Sequence, residues 1–115
     1  MTVTLFGLKT CDTCRKARKE LDAAGISHTY VDVRADGIEP GRLNTWAEEA
    51  GWQTLLNTKS ATWRGLPEGD RSNVGEAEAI ALMTGHPTLI KRPVIESGAS
   101  VLVGWTSATK DALGL

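Results

Sequence analysis

The sequence predicts an α/β fold in which a mixed four-stranded sheet with flanking helices carries a helical insertion between a βαβ half and a ββα half. Four short runs with strand character lie near the two ends of the chain, at residues 3–6, 26–33, 94–95 and 101–103. The first two enclose a segment with helical periodicity, and this order is that of a βαβ unit with parallel strands. The residues between the two ends have mostly helical character.

The first strand is predicted at residues 3–6 and is ended by Gly7. A helix is predicted at residues 12–24, because its small and apolar residues recur at helical spacing: Ala17, Leu21 and Ala24. Its charged residues are left to solvent, and Gly25 ends the helix as a C′ residue would.

The second strand is predicted at residues 26–33, where side chains alternate with a period of two. One predicted face carries Thr29, Val31 and Val33, and the other carries His28, Tyr30 and Asp32. A turn with Asp-Gly chemistry at residues 34–37 then ends the βαβ half.

A helical insert is predicted at about residues 38–86. Its first helix has Pro40 near its start and Gly51 at its end, as these residue types favour. Leu55 and Leu56 are predicted to form a short buried turn. Residues 58–70 are predicted to be irregular. A final helix ends at Gly85 and has an inner face that includes Ala77, Ile80, Ala81, and Met83 or Thr84. Three tryptophans are interpreted as core residues of this insert: Trp46, Trp52 and Trp63.

The ββα half follows a connector at residues 88–92. The strands at 94–95 and 101–103 form a hairpin around a turn at 97–100, and a terminal helix is predicted at 107–113. The hairpin adds an antiparallel edge to the βαβ unit, which gives the thioredoxin layout. We expect a single domain over residues 1–115.

Composition excludes several classes of function. The net charge is −1, and no basic track accompanies the tryptophans, so we expect no nucleic acid partner. No run of 18 apolar residues exists, so we expect no membrane partner, and the first residues lack the features of a signal peptide. We therefore expect a cytoplasmic monomer.

Both cysteines of the chain, Cys11 and Cys14, lie at the predicted start of the first helix. Residues three apart on a helix are neighbours, and a small adjustment would allow a disulfide. Unpaired N–H groups and the helix dipole favour a thiolate at the first position, which makes Cys11 the more reactive. Zinc is not expected, because only two histidines are present and neither clusters with the cysteines. Catalytic, redox-sensing and inert packed cysteines remain alternatives.

Five of the chain's thirteen basic residues lie within eleven positions around the cysteines: Lys9, Arg15, Lys16, Arg18 and Lys19. They favour a thiolate, whereas Asp12 opposes it. The same run is also what a solvated helix face would carry.

Three motifs occur in order along the chain: Cys11-Asp12-Thr13-Cys14-Arg15-Lys16-Ala17, Leu55-Leu56-Asn57-Thr58-Lys59 and His86-Pro87-Thr88-Leu89-Ile90-Lys91-Arg92-Pro93-Val94. Together they resemble the ArsC family, which includes glutathione- and glutaredoxin-coupled arsenate reductases, the Spx transcription regulators and a YffB-like branch. The segments Asn57-Thr58 and Thr62-Trp63-Arg64 are most similar to the YffB-like branch.

The resemblance implies a thioredoxin-type fold in which Cys11 is the nucleophile, Arg92 points toward it, and Pro93 follows a cis peptide bond and faces the cysteine. A structural role for Arg92, binding carbonyl groups of the insert, is the alternative. We assign substrate binding to residues of the three motifs and their borders: Thr10, Asp12, Thr13, Asn57, Lys59 and Pro93.

Arsenate reductases of this family hold the oxyanion with three arginines, and only Arg92 matches here. Asn57 stands at one of the other positions and Gly104 falls near the third. Losing two arginines weakens the grip on an oxyanion. Cys14 also departs from the arsenate-reducing pattern and matches Spx in its spacing.

These residues predict a thiol–disulfide oxidoreductase, a glutathione-dependent thiol reductase in which Cys14 resolves the mixed disulfide formed on Cys11. The expected partners are a glutathione or thiol substrate and a glutaredoxin-like protein. No cofactor or metal is expected, and the co-substrate is glutathione or a glutaredoxin- or thioredoxin-type reductant. An arsenate reductase and an Spx-like redox-sensing regulator that binds RNA polymerase are the alternatives.

Overall fold

A computed structural model describes residues 3–98 and 100–115. Its sheet has four strands in the order β2-β1-β3-β4. These strands are β1 (Val3–Gly7), β2 (Thr29–Asp32), β3 (Val94–Ser97) and β4 (Ser100–Val103).

Strand β1 lies inside the sheet, where it pairs in parallel with β2 and antiparallel with β3. The hairpin of β3 and β4 is antiparallel. The predicted mixed sheet of four strands is therefore confirmed, and β4 is its antiparallel edge. The predicted turn at residues 97–100 includes Ala99, which lies outside the described residues.

Three helices accompany the sheet strands in the chain: α1 (Asp12–Ala23), α2 (Val33–Asp36) and α8 (Ser107–Ala112). The predicted strand at residues 26–33 is wrong at both ends, since β2 has only four residues and Val33 begins a helical turn. At the C-terminal end the reason is Asp32, whose Oδ1 accepts hydrogen bonds from the backbone N–H groups of Arg34 (2.9 Å) and Ala35 (3.0 Å). A side-chain acceptor in this position caps a helical turn and ends the strand.

The chain divides into two compact units, one made of the residues up to Asp36 together with Arg92–Leu115, and the other made of Gly37–Lys91. The first unit has a core between sheet and helices that includes Val3, Leu5, Ala17, Leu21, Ile95 and Leu113. The predicted insert falls in the second unit, and the single domain over 1–115 stays a prediction.

The second unit is helical, with α3 (Pro40–Ala50), α4 (Trp52–Leu55), α5 (Ala61–Arg64), α6 (Glu68–Arg71), α7 (Glu76–Gly85) and a 3₁₀ turn (Pro87–Leu89). The helix predicted from Pro40 to Gly51 is confirmed. Residues 58–70 are less irregular than predicted, because Ser60 Oγ accepts a hydrogen bond from the Trp63 backbone N–H and caps α5.

The inner face predicted for α7 is wrong in part. Ala79 and Met83 are buried, whereas Ala77 and Ala81 are exposed. Apolar residues surround most of this helix, so the periodicity did not determine which stripe packs against α3 and the 3₁₀ turn. Of the tryptophans, Trp46 is fully buried as predicted, but Trp52 is only half-buried.

Among the described residues, no helix is both long and apolar enough to cross a membrane. The longest, α1, has 12 residues.

Candidate active site

Cys11 is the N-cap residue of α1 and has an extended backbone, with φ −86° and ψ 118°. Its N–H donates to the Leu8 carbonyl (3.1 Å), and its carbonyl accepts from the Arg15 N–H (3.0 Å). Both bonds fix the backbone of Cys11 at the end of α1 where unpaired N–H groups concentrate. Its side chain is partly exposed and carries a free thiol.

The surroundings of Cys11 favour its thiolate. Partial burial is the largest influence and raises the pKa, but hydrogen bonding from the Cys14 backbone N–H and thiol and from the Arg92 guanidinium outweighs it. The positive charge of Arg92 acts in the same direction, so the pKa of the Cys11 thiol lies below its ordinary value. A lowered pKa of this kind is typical of nucleophilic cysteines.

Cys14 is chemically the opposite of Cys11. It is fully buried in the first turn of α1, and this burial, together with the neighbouring Cys11 thiolate, raises its pKa to about 12. The pair therefore consists of a partly exposed sulfur that favours the thiolate and a buried sulfur that keeps its proton.

Gly7 makes room for Cys14. A Cβ placed on Gly7, at the end of β1, would overlap the Cys14 Sγ and would lie 3.2 Å from the Cys14 Cβ. Any larger residue at position 7 would displace the buried thiol. The glycine is needed here for the close approach of strand and helix rather than for a special backbone angle.

Arg92 and Pro93 precede β3 and are joined by a cis peptide bond, as the resemblance implied. Pro93 is buried, and its carbonyl accepts a hydrogen bond from the Gly104 N–H (2.8 Å). The guanidinium of Arg92 interacts with the Cys11 sulfur. The structure thus brings together the three residues that were predicted to be catalytic.

Asp32 holds the loop that leads into Cys11. Its Oδ2 accepts a hydrogen bond from the Lys9 backbone N–H (3.1 Å), while its Oδ1 caps α2. Backbone hydrogen bonds from Ala35 and Lys9 are the main reasons why the pKa of this carboxyl lies below its ordinary value. One side chain therefore fixes both the end of β2 and Lys9, which lies two positions before Cys11.

The predicted substrate-binding residues around Cys11 lie on the surface. Thr10, Asp12 and Thr13 are all exposed. The carboxylate of Asp12 is paired with Arg15 at 2.5 Å, so this neighbouring charge is partly neutralised.

Asn57 and Lys59 lie in the second unit, where they line a cleft of about 420 Å³ together with Trp52, Gln53, Leu56, Thr58 and Lys91. The side chain of Asn57 is used locally, because its Oδ1 accepts a hydrogen bond from the Lys59 backbone N–H (3.1 Å). The roles of all the predicted site residues stay predictions.

Within residues 3–98 and 100–115, no three His, Cys, Asp or Glu side chains are grouped so as to hold a metal ion.

Sequence reasoning missed Gly7 and Asp32 as parts of this site. Gly7 was interpreted only as the end of a strand, and Asp32 as one position in an alternating strand. For Asp32 a signal existed, because Asp is a preferred N-cap residue and a short run without Gly or Pro follows it. For Gly7 the sequence gives no sign of what lies opposite.

The ArsC family model matches residues 6–113 of this chain. The structure of the YFFB protein is 42% identical, with a TM-score of 0.92 over 96% of this chain and 97% of that one. An arsenate reductase (ArsC) related protein from Brucella melitensis is 40% identical, with a TM-score of 0.78 over 97% of this chain and 93% of its own.

Relatives among curated proteins include an uncharacterized protein from Haemophilus influenzae, which is 37% identical over 103 residues, 90% of each chain. The transcriptional regulator Spx of Streptococcus mutans is more distant, at 26% identity over 90% of this chain and 76% of that protein. The resemblance inferred from the three motifs is thereby confirmed.

Proposed function

This protein belongs to the ArsC family and is related to arsenate reductases, and we propose that it is a glutathione-dependent thiol–disulfide reductase. The observation that carries the proposal is the asymmetry of the cysteine pair. Cys11 is partly exposed with a pKa below its ordinary value, and Cys14 is buried with a pKa of about 12. An accessible thiolate backed by a protonated thiol is the arrangement that thiol–disulfide exchange requires.

In the first step the Cys11 thiolate attacks one sulfur of a substrate disulfide that carries a glutathionyl group. A bond forms between Cys11 Sγ and the glutathionyl sulfur, the substrate S–S bond breaks, and the other sulfur leaves as a thiolate that takes a proton from water. Arg92 interacts with the Cys11 sulfur and stabilises its negative charge before attack.

In the second step Cys14 resolves the mixed disulfide. Once Cys11 is in a disulfide, its negative charge no longer raises the pKa of Cys14, and the Cys14 thiol loses its proton more readily. Its sulfur then attacks Cys11 Sγ and releases glutathione. The two cysteines have supplied two electrons and are now joined by a disulfide, which two further glutathione molecules or a glutaredoxin- or thioredoxin-type protein reduce.

We place this reaction in the cytoplasm, where glutathione keeps thiols reduced.

Arsenate is a less suitable substrate for these residues. The position at which the family motif has a second arginine is occupied by Asn57, whose side-chain oxygen binds the backbone of Lys59. Glycine 104 has a positive φ of 81° and offers no side chain near the third position. A single arginine gives one charge-assisted grip where arsenate reductases use three.

The test is turnover of glutathionylated small disulfides in the presence of glutathione, measured for wild type, Cys11→Ser and Cys14→Ser. We expect Cys11→Ser to fall to the uncatalysed rate, because serine supplies no thiolate. Cys14→Ser retains the first step and, when it is incubated with the disulfide without free glutathione, accumulates one glutathionyl group on Cys11, which mass spectrometry detects.

Lys19→Ala serves as the control, since Lys19 is exposed, lies eight positions after Cys11, and is not among the groups that shift the pKa of the Cys11 thiol. The proposal is wrong if wild type shows no turnover, or if the glutathionyl group is found on Cys14. Arsenate is assayed in parallel with the same variants and with Arg92→Ala. Saturable arsenate reduction that is lost in Arg92→Ala would favour the arsenate reductase alternative.

A further inference from the structure

The cleft in the second unit has the composition of a binding site for an organic anion. It is lined by the half-buried Trp52, two lysines, and the polar side chains of Gln53, Asn57 and Thr58. Its volume of about 420 Å³ equals that of about fourteen water molecules and lies in the range of small-molecule sites. We propose that this cleft binds an anion with carboxylate groups on a peptide-like body.

Two lysines give the cleft a positive charge. Lys59 and Lys91 both line the cleft and are exposed. Neither ammonium group has a carboxylate partner within residues 3–98 and 100–115, whereas Lys110 is paired with Glu20. Two unpaired positive charges beside an aromatic side chain attract a ligand that has negative charge at its ends and a less polar body.

The backbone around the cleft is fixed before any ligand arrives. The segments on either side of the bridge between Leu56 and Ile90 run antiparallel. The Asn57 N–H donates to the Leu89 carbonyl at 2.8 Å, and the Lys91 N–H donates to the Leu55 carbonyl at 2.8 Å. These two hydrogen bonds hold the two lysine-bearing segments side by side.

The rim is held by further bonds within residues 57–60. The Asn57 Oδ1 accepts from the Lys59 N–H, and the Asn57 carbonyl accepts from the Ser60 hydroxyl at 2.9 Å. A preorganised backbone lowers the entropy cost of binding, because the protein itself loses little conformational freedom when the ligand binds.

An inorganic oxyanion would use only one end of this cleft. Arsenate or phosphate is far smaller than the available volume and has no surface to place against Trp52. The glutathionyl group has two carboxylates on a tripeptide body and matches the chemistry. Only this choice of ligand rests on the proposed function.

Binding is measured with S-methylglutathione, which has the carboxylates and peptide body but no thiol to react. Backbone and indole N–H signals are followed by two-dimensional NMR in wild type, Lys59→Ala, Lys91→Ala and the double variant. We expect shifts concentrated at Trp52, residues 57–59 and Lys91. Each single variant should bind about five-fold more weakly, as is typical for the loss of one solvent-exposed charge-assisted contact. Both substituted side chains are exposed, so all three variants should retain the fold.

Lys19→Ala removes the same charge from α1 and should leave the dissociation constant unchanged. The inference is overturned if S-methylglutathione does not bind, if its shifts lie only around Cys11, or if both lysine variants bind like wild type. It is also overturned if acetate or arsenate competes as well as S-methylglutathione, because the site would then hold any anion. Turnover with no binding here would contradict this inference alone, and binding here with no turnover would contradict the proposed function alone.

Discussion

Replacing Asp32 by alanine tests how the loop before Cys11 is held. The carboxylate accepts three backbone hydrogen bonds, from Lys9, Arg34 and Ala35, at 2.9–3.1 Å. The variant therefore removes the N-cap of α2 and the connection between β2 and the Lys9 loop.

The expected loss of stability follows from these contacts. Replacing an N-cap residue by alanine costs about 0.5–2 kcal/mol, and the bond from Lys9 adds about 0.5–1.5 kcal/mol. The carboxyl group is in contact with water, which screens its charge and solvates the freed N–H groups, so we expect the lower part of the sum, about 1–2 kcal/mol. Urea unfolding measures this free energy directly.

The pH dependence has a definite sign. Because the pKa of Asp32 is lower in the folded protein than its ordinary value of 3.8, its contribution is complete above that value. It is lost as the pH falls through the folded pKa, where the carboxylate becomes protonated. The difference between wild type and Asp32→Ala should be constant near neutral pH and shrink in acid.

Amide hydrogen exchange locates the effect. The N–H groups of Lys9, Arg34 and Ala35 should exchange faster in Asp32→Ala, whereas Asp36→Ala, which removes an exposed carboxylate from the same turn, should leave them unchanged. Loss of a negative charge alone would lower the pKa of Cys11, so a raised pKa would report a loosened loop. The reasoning fails if the two variants are equally stable, or if the Asp32→Ala difference grows on acidification.

Two further substitutions test the cysteine pair. Arg92→Ala should raise the pKa of Cys11, which would shift the pH profile of iodoacetamide alkylation to higher pH. Arg92→Lys keeps the charge and should shift the profile less. An unchanged profile in Arg92→Ala would contradict the role of the guanidinium. Gly7→Ala should destabilise the protein by about 1–3 kcal/mol, because its Cβ overlaps the buried Cys14 sulfur. Gly41→Ala, where the added Cβ meets nothing within 4 Å, is the control, and equal effects of the two would refute the close packing.

The local structure at the cysteines could be predicted from the sequence because its determinants are local. An apolar run, a Cys-x-x-Cys spacing and a helical repeat that ends at a glycine predict β1, the start of α1 and the more reactive position of Cys11. These patterns depend on residues a few positions apart, and the backbone geometry of strands and helices converts them into structure. The order of elements likewise predicted the mixed sheet.

Other features depend on residues far apart in the sequence, and the sequence alone did not predict them. Packing against neighbouring elements determines which residues of α7 are buried, because several faces of this helix are equally apolar. The hydrogen bond from the Lys9 N–H to Asp32, 23 positions away, forms only when β1 and β2 lie side by side.

The sequence by itself therefore predicted Cys11 as the more reactive sulfur, because position at a helix start is a local property. Only the tertiary structure decided that Cys14 is a buried thiol whose proton is held tightly, because burial depends on Gly7 allowing α1 to approach β1. It also decided that Arg92, 81 positions after Cys11, interacts with the Cys11 sulfur. Solvent exclusion and charge proximity act through space, and only the folded chain specifies the distances on which both depend.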